Sequence, residues 1–254
     1  MWHVAGSIGH VARMLTEVRR QLVTAARWLE RELMPVSCVF CGEPDDDGGH
    51  YVCEGCAADL VRNAPACRRC ALPLAAASDR PCGACQAQPP PFDTVVAPLV
   101  YTYPVDAAIR QFKFHRKLWY VPGFAEILVA AADALPASID AVLPVPLHRL
   151  RQVRRGFNQA VELAAPVAKA SGLPMIRNVI RRRRTPYQSG LPAAHRRRNL
   201  KHAFAVRGRL HARHVLIVDD VLTTGATCRQ LALLLHRHGV RAVSVLALAR
   251  AITD

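Results

Sequence analysis

Apolar residues near the start of the chain recur at spacings of three and four: Val4, Ile8, Val11, Leu15, Val18, Leu22, Ala25, Leu29 and Leu33. That period lines one face of a helix, so residues 1–34 are expected to form an amphipathic helix. Charged residues run through it and no uninterrupted apolar stretch is present, which argues against a signal peptide. Docking against the protein or a partner ranks first among its roles, with a membrane surface or a mere leader left open. The periodicity lapses over residues 35–92. From Phe92 onward, short apolar runs alternate with helix-period segments. Strands are expected over Thr94–Tyr103 (a pair, or one long strand), Asp140–Val145, Met175–Arg182, Val215–Val218 and Val240–Leu248, with His202–Val206 returning to a sheet edge. Helices are expected over Asp106–His115, Phe124–Leu135, from Gly156 to about Ala170, and Cys228–His238, where Gly239 supplies the stop. Pro166 predicts a kink or early break in the third of these. Such alternation predicts an α/β fold with a mostly parallel sheet flanked by helices.

The stretch His214 to Thr227, HVLIVDDVLTTGAT, carries the most chemistry. Three of the four residues Val215–Val218 are β-branched, which suits a strand buried on both faces. Asp219 and Asp220 follow as an acidic turn, then Thr223, Thr224, Gly225, Ala226 and Thr227 before a helix. Unpaired N–H groups at a helix start bind phosphate, glycine allows close approach, and threonine hydroxyls add donors. The acids do not suit phosphate. They suit neutral hydroxyls, such as those of a ribose, or a Mg²⁺ shared with a pyrophosphate. The plainer reading is an ordinary strand–turn–helix corner. Two adjacent carboxylates repel, so they are expected to be kept for a ligand rather than for the fold.

Residues 35–92 are organised by cysteine. Cys38/Cys41, Cys53/Cys56, Cys67/Cys70 and Cys82/Cys85 form four Cys-x-x-Cys pairs, enough for two tetrahedral Zn²⁺ shells. Sequential pairing is simplest, and spacing alone leaves an interleaved one open. Disulfides are disfavoured in a reducing cytoplasmic setting. Structural zinc also answers the problem that so short a segment buries little core. Asp45–Asp47 reads as a solvated turn, and Pro89–Pro91 as a stiff linker. The domains are then 1–34, 35–92 and 93–254.

No apolar run reaches eighteen residues, so no membrane span is expected. The net charge is +15 and is uneven, because no carboxylate lies between Glu162 and Asp219. An excess of that kind implies polyanionic partners. Lys113, His115, Arg116 and Lys117 end a helix, either as a solvated basic end or as anion contacts. Phe112, Phe114, Trp119 and Tyr120 beside them could stack bases of a single strand, although core packing is the commoner role of such residues. Residues 183–200 lack apolar periodicity and read as a long loop, hence a lid or binding loop, or else a mobile basic loop without defined contacts.

Val215–Thr227 resembles the phosphoribosyl pyrophosphate (PRPP) motif of type I phosphoribosyltransferases. The stretches LPVPLHRLRQVRRGFNQ at 143–159, RRTPYQSGL at 183–191 and RRRNLKHAF at 196–204 resemble the ComF (competence protein F) family, in which a cysteine-rich segment before the sheet is usual. The resemblance spans about Cys38 to Arg250. It implies a type I phosphoribosyltransferase-like sheet behind a double zinc ribbon, and displacement at ribose C1 of PRPP with Mg²⁺. By motif position, Asp219 and Asp220 hold the ribose hydroxyls and, through them, Mg²⁺. Thr223 to Thr227 cradle the 5-phosphate. Arg149, Arg151, Arg154 and Arg155 hold pyrophosphate, and Arg184, Gln188, Arg196 and Asn199 belong to a flexible hood. The family's association with natural competence implies single-stranded DNA and DNA-processing proteins as partners. On that second reading the protein handles DNA without catalysis. No residue announces an acceptor.

Overall fold

The computed structural model describes residues 36–45, 49–181 and 203–252. The expected helix over residues 1–34, Asp46 and Asp47, and the hood residues Arg184, Gln188, Arg196 and Asn199 lie outside the described residues.

The cysteine-rich segment folds as two ribbons. Helix α1 (Glu54–Asp59) starts after Cys53, and α2 (Gly83–Ala87) starts after Cys82, so each short helix grows from a ligand cysteine. The first ribbon turns at Gly42 with φ 82°, and the second ribbon at Ala71 with φ 54°. Ala71 pays that strain in exchange for core burial of its methyl group.

Strands β1 (Thr94–Val96) and β2 (Leu99–Val100) are one interrupted strand. Helix α3 (Val105–His115), a 3₁₀ turn (Leu118–Tyr120) and helix α4 (Val121–Ala132) follow, then β3 (Ala141–Pro144). Next come α5 (Arg149–Arg155), α6 (Gln159–Ala170), β4 (Val179–Arg181) and β5 (Phe204–Val206). The chain closes with β6 (His214–Leu222), α7 (Ala226–Arg237) and β7 (Ala242–Arg250). The main sheet runs β1–β7–β6–β3, with β2 also on β7, and every pairing in it is parallel.

Alternation along the central strands makes two cores. Val215 and Ile217 with Val243 and Val245 pack on Leu231 and Leu235 of α7. Leu216 and Val218 with Leu246 and Leu248 pack on Phe112, Phe124, Leu128 and Leu163 of α3, α4 and α6. Central strands with helices on both faces must be apolar throughout, as these are.

Four expectations need correction. The strand expected over Met175–Arg182 is not in the main sheet. Met175 only bridges Val142, and β4 pairs antiparallel with β5 in a separate ribbon. Arginines at 177 and 181 cannot be buried on both faces, so this segment stays at the margin. His202–Val206 therefore returns to that ribbon, not to the sheet edge; His202 itself is outside the described residues. The 145–155 loop contains a helix, α5, capped by His148, whose Nδ1 accepts from Leu150 N. The early break expected at Pro166 does not occur, since α6 continues through it to Ala170. Its buried face of Leu163, Ala164, Val167 and Ala168 holds it against the core on both sides of the proline.

The ribbons lie on the sheet edge rather than at the end of a free linker. Arg62 bridges Leu99 antiparallel, Val100 N donates to Val61 O, and Val95 N donates to Arg68 O. Buried Asn63 donates to Ala71 O at 2.9 Å and Ala97 O at 3.0 Å. The prolines are pinned as well, since Arg69 donates to Pro90 O and His236 Nε2 lies 2.8 Å from Pro91 O. An otherwise open edge strand is thus covered.

Candidate functional site

The candidate site sits at the carboxyl end of β6. The strand continues past Val218 through both acids to Leu222, so they are strand residues and not a turn. Asp219 pairs with Ala247 and Val221 with Ala249, while Asp220 has no partner in this ladder. Each acid accepts from the next backbone N–H, Asp220 N to Asp219 Oδ1 and Val221 N to Asp220 Oδ1, both at 2.9 Å. Facing slips by one residue there, since Val221 joins the α3–α4–α6 core and Leu222 the α7 core.

The slip sends the two carboxylates to different neighbours. Asp219 shares a shallow hollow with Thr223, Thr224, Gly225, Ala226 and Thr227. Gly225 caps α7 with φ 69°, a left-handed conformation that suits glycine. Asp220 is 3% exposed and forms an ion pair with Lys113 of α3. The expectation that the acids are free of the fold therefore fails for Asp220. Removing it would leave a buried ammonium without its partner, at a cost of about 3–5 kcal/mol. Lys113 reaches the site because it lies four residues after Ile109, on the buried face of α3. That spacing could have been read from the sequence.

Burial pushes Asp219 up to about 6, opposed by Lys113 and Arg181. Burial brings Lys113 down to about 8, with Asp219 acting against the shift and Arg155 adding to it. Burial lowers Arg181 to about 10, with Arg151 adding to that and Asp219 opposing it. Lys113 and Arg181 thus act on Asp219, and Arg155 and Arg151 crowd those two cations in turn. Arg181 was expected only as part of a strand and a basic run. Arg155 also donates to Gln159 Oε1 at 2.6 Å and lies over the Phe114 ring. The other two loop arginines are not among the charges that act on Asp219, Lys113 or Arg181. Arg149 lines a cavity of about 370 Å³ together with Arg177, Arg207 and Arg181 itself. Arg154 is exposed, and its carbonyl accepts from Arg116.

The cysteines gather as two sequential sets, Cys38–Cys41–Cys53–Cys56 and Cys67–Cys70–Cys82–Cys85, each with sulfurs within 4.8 Å of one another. This removes the interleaved alternative. Cys41 and Cys53 sulfurs are 3.7 Å apart, and those of Cys70 and Cys82 are 3.6 Å apart. A tetrahedron with Zn–S bonds of 2.3 Å has edges of about 3.8 Å, so the donor sets fit zinc. Burial acts to raise Cys67, but the N–H groups of Cys82 and Arg69 outweigh it and bring the thiol to about 7. Cys38 is likewise brought to about 6 by the backbones of Cys41 and Cys53 against its burial. The thiolate is thus favoured at one cysteine of each set, while burial raises Cys56, Cys70 and Cys85.

The comparisons with known proteins agree with this construction. Residues 30–86 match the model of the double zinc ribbon domain. Competence protein F of Haemophilus influenzae is 34% identical over 226 residues, covering 84% of this chain and 96% of the relative. The chain belongs to the competence protein F family. DNA utilization protein YhgH of Salmonella typhimurium is 36% identical over 223 residues, 85% of this chain and 98% of that protein. Among solved structures, the glutamine PRPP amidotransferase from B. subtilis is similar at 22% identity and a TM-score of 0.34, over 49% of this chain and 25% of its own. The adenine phosphoribosyltransferase from Thermoanaerobacter pseudethanolicus is similar at 19% identity and a TM-score of 0.32, over 56% and 86%. This competence protein F family member thus joins a two-site zinc ribbon to a parallel sheet. Among its described residues no helix is long and apolar enough to cross a membrane.

Proposed function

We propose that this family member binds PRPP with Mg²⁺ at the end of β6, as a phosphoribosyltransferase-type site serving DNA uptake or use. The observation that carries the reading is the juxtaposition of Asp219 with the Gly225-opened start of α7 in one hollow, with Lys113 and Arg181 acting on that carboxylate. The Thr223–Thr227 amides and hydroxyls suit a terminal phosphate. Arg151 and Arg155 suit pyrophosphate, because a guanidinium fork donates two hydrogen bonds to one phosphate. Asp219 suits the ribose hydroxyls. Asp219 would help to hold Mg²⁺ through the ligand, and the ion would supply charge neutralisation. Asp220 is held by Lys113, so its part is to keep that ammonium in the site. Displacement at C1 with pyrophosphate leaving is the reaction that fits, and positioning with charge neutralisation is the means. The names of the Haemophilus and Salmonella relatives support the link to competence and DNA utilization. A cytoplasmic setting suits the eight zinc-type thiols.

Calorimetry tests the reading. Wild-type protein takes up PRPP in Mg²⁺, and Asp219→Asn together with Asp220→Asn abolishes the uptake. Adding Lys113→Met to the double variant removes the stranded ammonium, so that folding stays intact. Absence of any heat of binding with wild type ends the enzyme reading.

The second reading, a surface for single-stranded DNA, has an observation of its own. Phe112 is core and Tyr120 stacks on Phe124, but Phe114 and Trp119 are 50% and 58% exposed. The plain core assignment is therefore wrong for those two. Lys117 lies 4.9 Å over the Trp119 ring, and Arg155 lies 5.5 Å over that of Phe114. Exposed rings with cations beside them are what base stacking on a charged groove needs.

A further inference from the structure

Arg250, the last residue of β7, is 6% exposed and forms no ion pair with a carboxylate among the described residues. Its guanidinium instead gathers backbone carbonyls from two parts of the protein. Nε donates to Cys70 O at 3.0 Å, inside the second zinc ribbon. Nη1 donates to Leu222 O at 2.9 Å, to Thr223 O at 2.5 Å and to Ala251 O. Leu222 and Thr223 are where β6 turns into the threonine loop. Ala251 N donates to Leu222 O at 3.0 Å, so the same carbonyl is gripped twice.

A buried guanidinium needs a counter-charge. Beside its bond to Cys70 O, Arg250 feels Cys70, Cys82 and Cys85, which act to keep it protonated against burial. A zinc ion with four thiolates carries a net charge of two minus, so an intact second centre is the natural counter-ion. The first ribbon docks elsewhere. Tyr51 N and His50 Nδ1 meet Glu126 of α4, each at 2.8 Å.

We infer that Arg250 is a positioning residue. It holds the Thr223–Thr227 loop in its phosphate-binding shape and makes that shape depend on the zinc centre of Cys67, Cys70, Cys82 and Cys85. The inference rests on the reading of that loop as the phosphate site. The two ribbons therefore differ in what they do. One props α4, and the other sets the loop through one side chain.

The test compares Arg250→Met, Arg250→Lys, Cys82→Ser and Cys53→Ser with wild type, by hydrogen exchange at residues 222–228, metal content and PRPP calorimetry in Mg²⁺. Arg250→Met is expected to speed exchange in that segment and to weaken PRPP by about tenfold or more, while two zinc ions stay bound. Arg250→Lys restores part of both, because its ammonium still reaches some of the carbonyls. Cys82→Ser reproduces the loop exchange of Arg250→Met, and costs more ligand affinity than Cys53→Ser. Unchanged exchange at 222–228 in Arg250→Met overturns the inference, as does an equal effect of the two cysteine variants. If wild type does not bind PRPP, the loop's ligand reading fails, and the exchange comparison still decides whether zinc and loop are coupled.

Discussion

At the scale of single residues the site is a balance between Asp219 and the cations around it. Burial raises Asp219 to about 6, so the fold favours its neutral form. That contribution to stability is present below about pH 4, the ordinary carboxylate range, and is lost as pH rises through about 6. Ligand binding runs the other way, because ribose hydroxyls and their metal call for the ionised carboxylate. PRPP affinity in Mg²⁺ is therefore expected to rise between pH 5 and 7, and a titration series by calorimetry checks it. The phosphate of the ligand also ionises near pH 6. The readout is thus the part of the rise that Asp219→Asn removes; identical profiles for the two proteins would take Asp219 out of the site. Both acids were legible in the sequence, but their division of labour was not. It depends on the slip at Asp220 and on a lysine 107 positions earlier that comes to Asp220 only through the packing of α3 on the sheet.

At the scale of elements, the buried strands and the helices were legible because their apolar periods are strong. Val215–Val218 lies within β6, and the expected strand Val240–Leu248 overlaps β7 from Ala242 on. The edge was less legible. The arginine-bearing 175–181 segment has strand composition but no partner in the main sheet. The seven residues of α5 have no buried side chain to mark a helix period. The seam with the first ribbon was not legible, since it depends on a small residue. A Cβ on Gly123 of α4 would run into Val39 Cγ2 and stand 3.2 Å from Tyr51 O. Gly123→Ala is expected to cost about 1–3 kcal/mol by overpacking. Thermal unfolding should show a lower Tm, and a chelator should strip the Cys38–Cys56 ion faster. Gly55→Ala, where the added carbon meets nothing, is the comparison. If both variants melt like wild type, the ribbon does not rest on α4 in this way.

At the scale of the whole molecule, a charge of +15 must be directed at something, and the zinc ribbons do not supply most of it. The excess lies in the stretch without carboxylates between Glu162 and Asp219, and the exposed rings Trp119 and Phe114 carry Lys117 and Arg155 over them, with Arg116 next to Lys117 in the chain. This gives the nucleic-acid reading two separable parts. Charge should control salt dependence, because each phosphate contact releases counterions and adds about 0.7 to the slope of log K against log salt for a single strand. Stacking should control affinity at fixed salt, at about 1–3 kcal/mol per base. Phe114→Ala with Trp119→Ala is therefore expected to weaken single-stranded DNA about tenfold or more, leaving the slope in place. Arg116→Gln with Lys117→Gln is expected to lower the slope by about 1.4 if each cation contacts one phosphate. Fluorescence anisotropy over a salt series, with and without PRPP, measures both quantities. A slope untouched by the charge pair would move the strand away from the end of α3 and toward the arginines of residues 181–198. If PRPP shifts the affinity of the wild type, the two ligands are linked rather than independent, and by reciprocity DNA shifts the affinity for PRPP by the same factor.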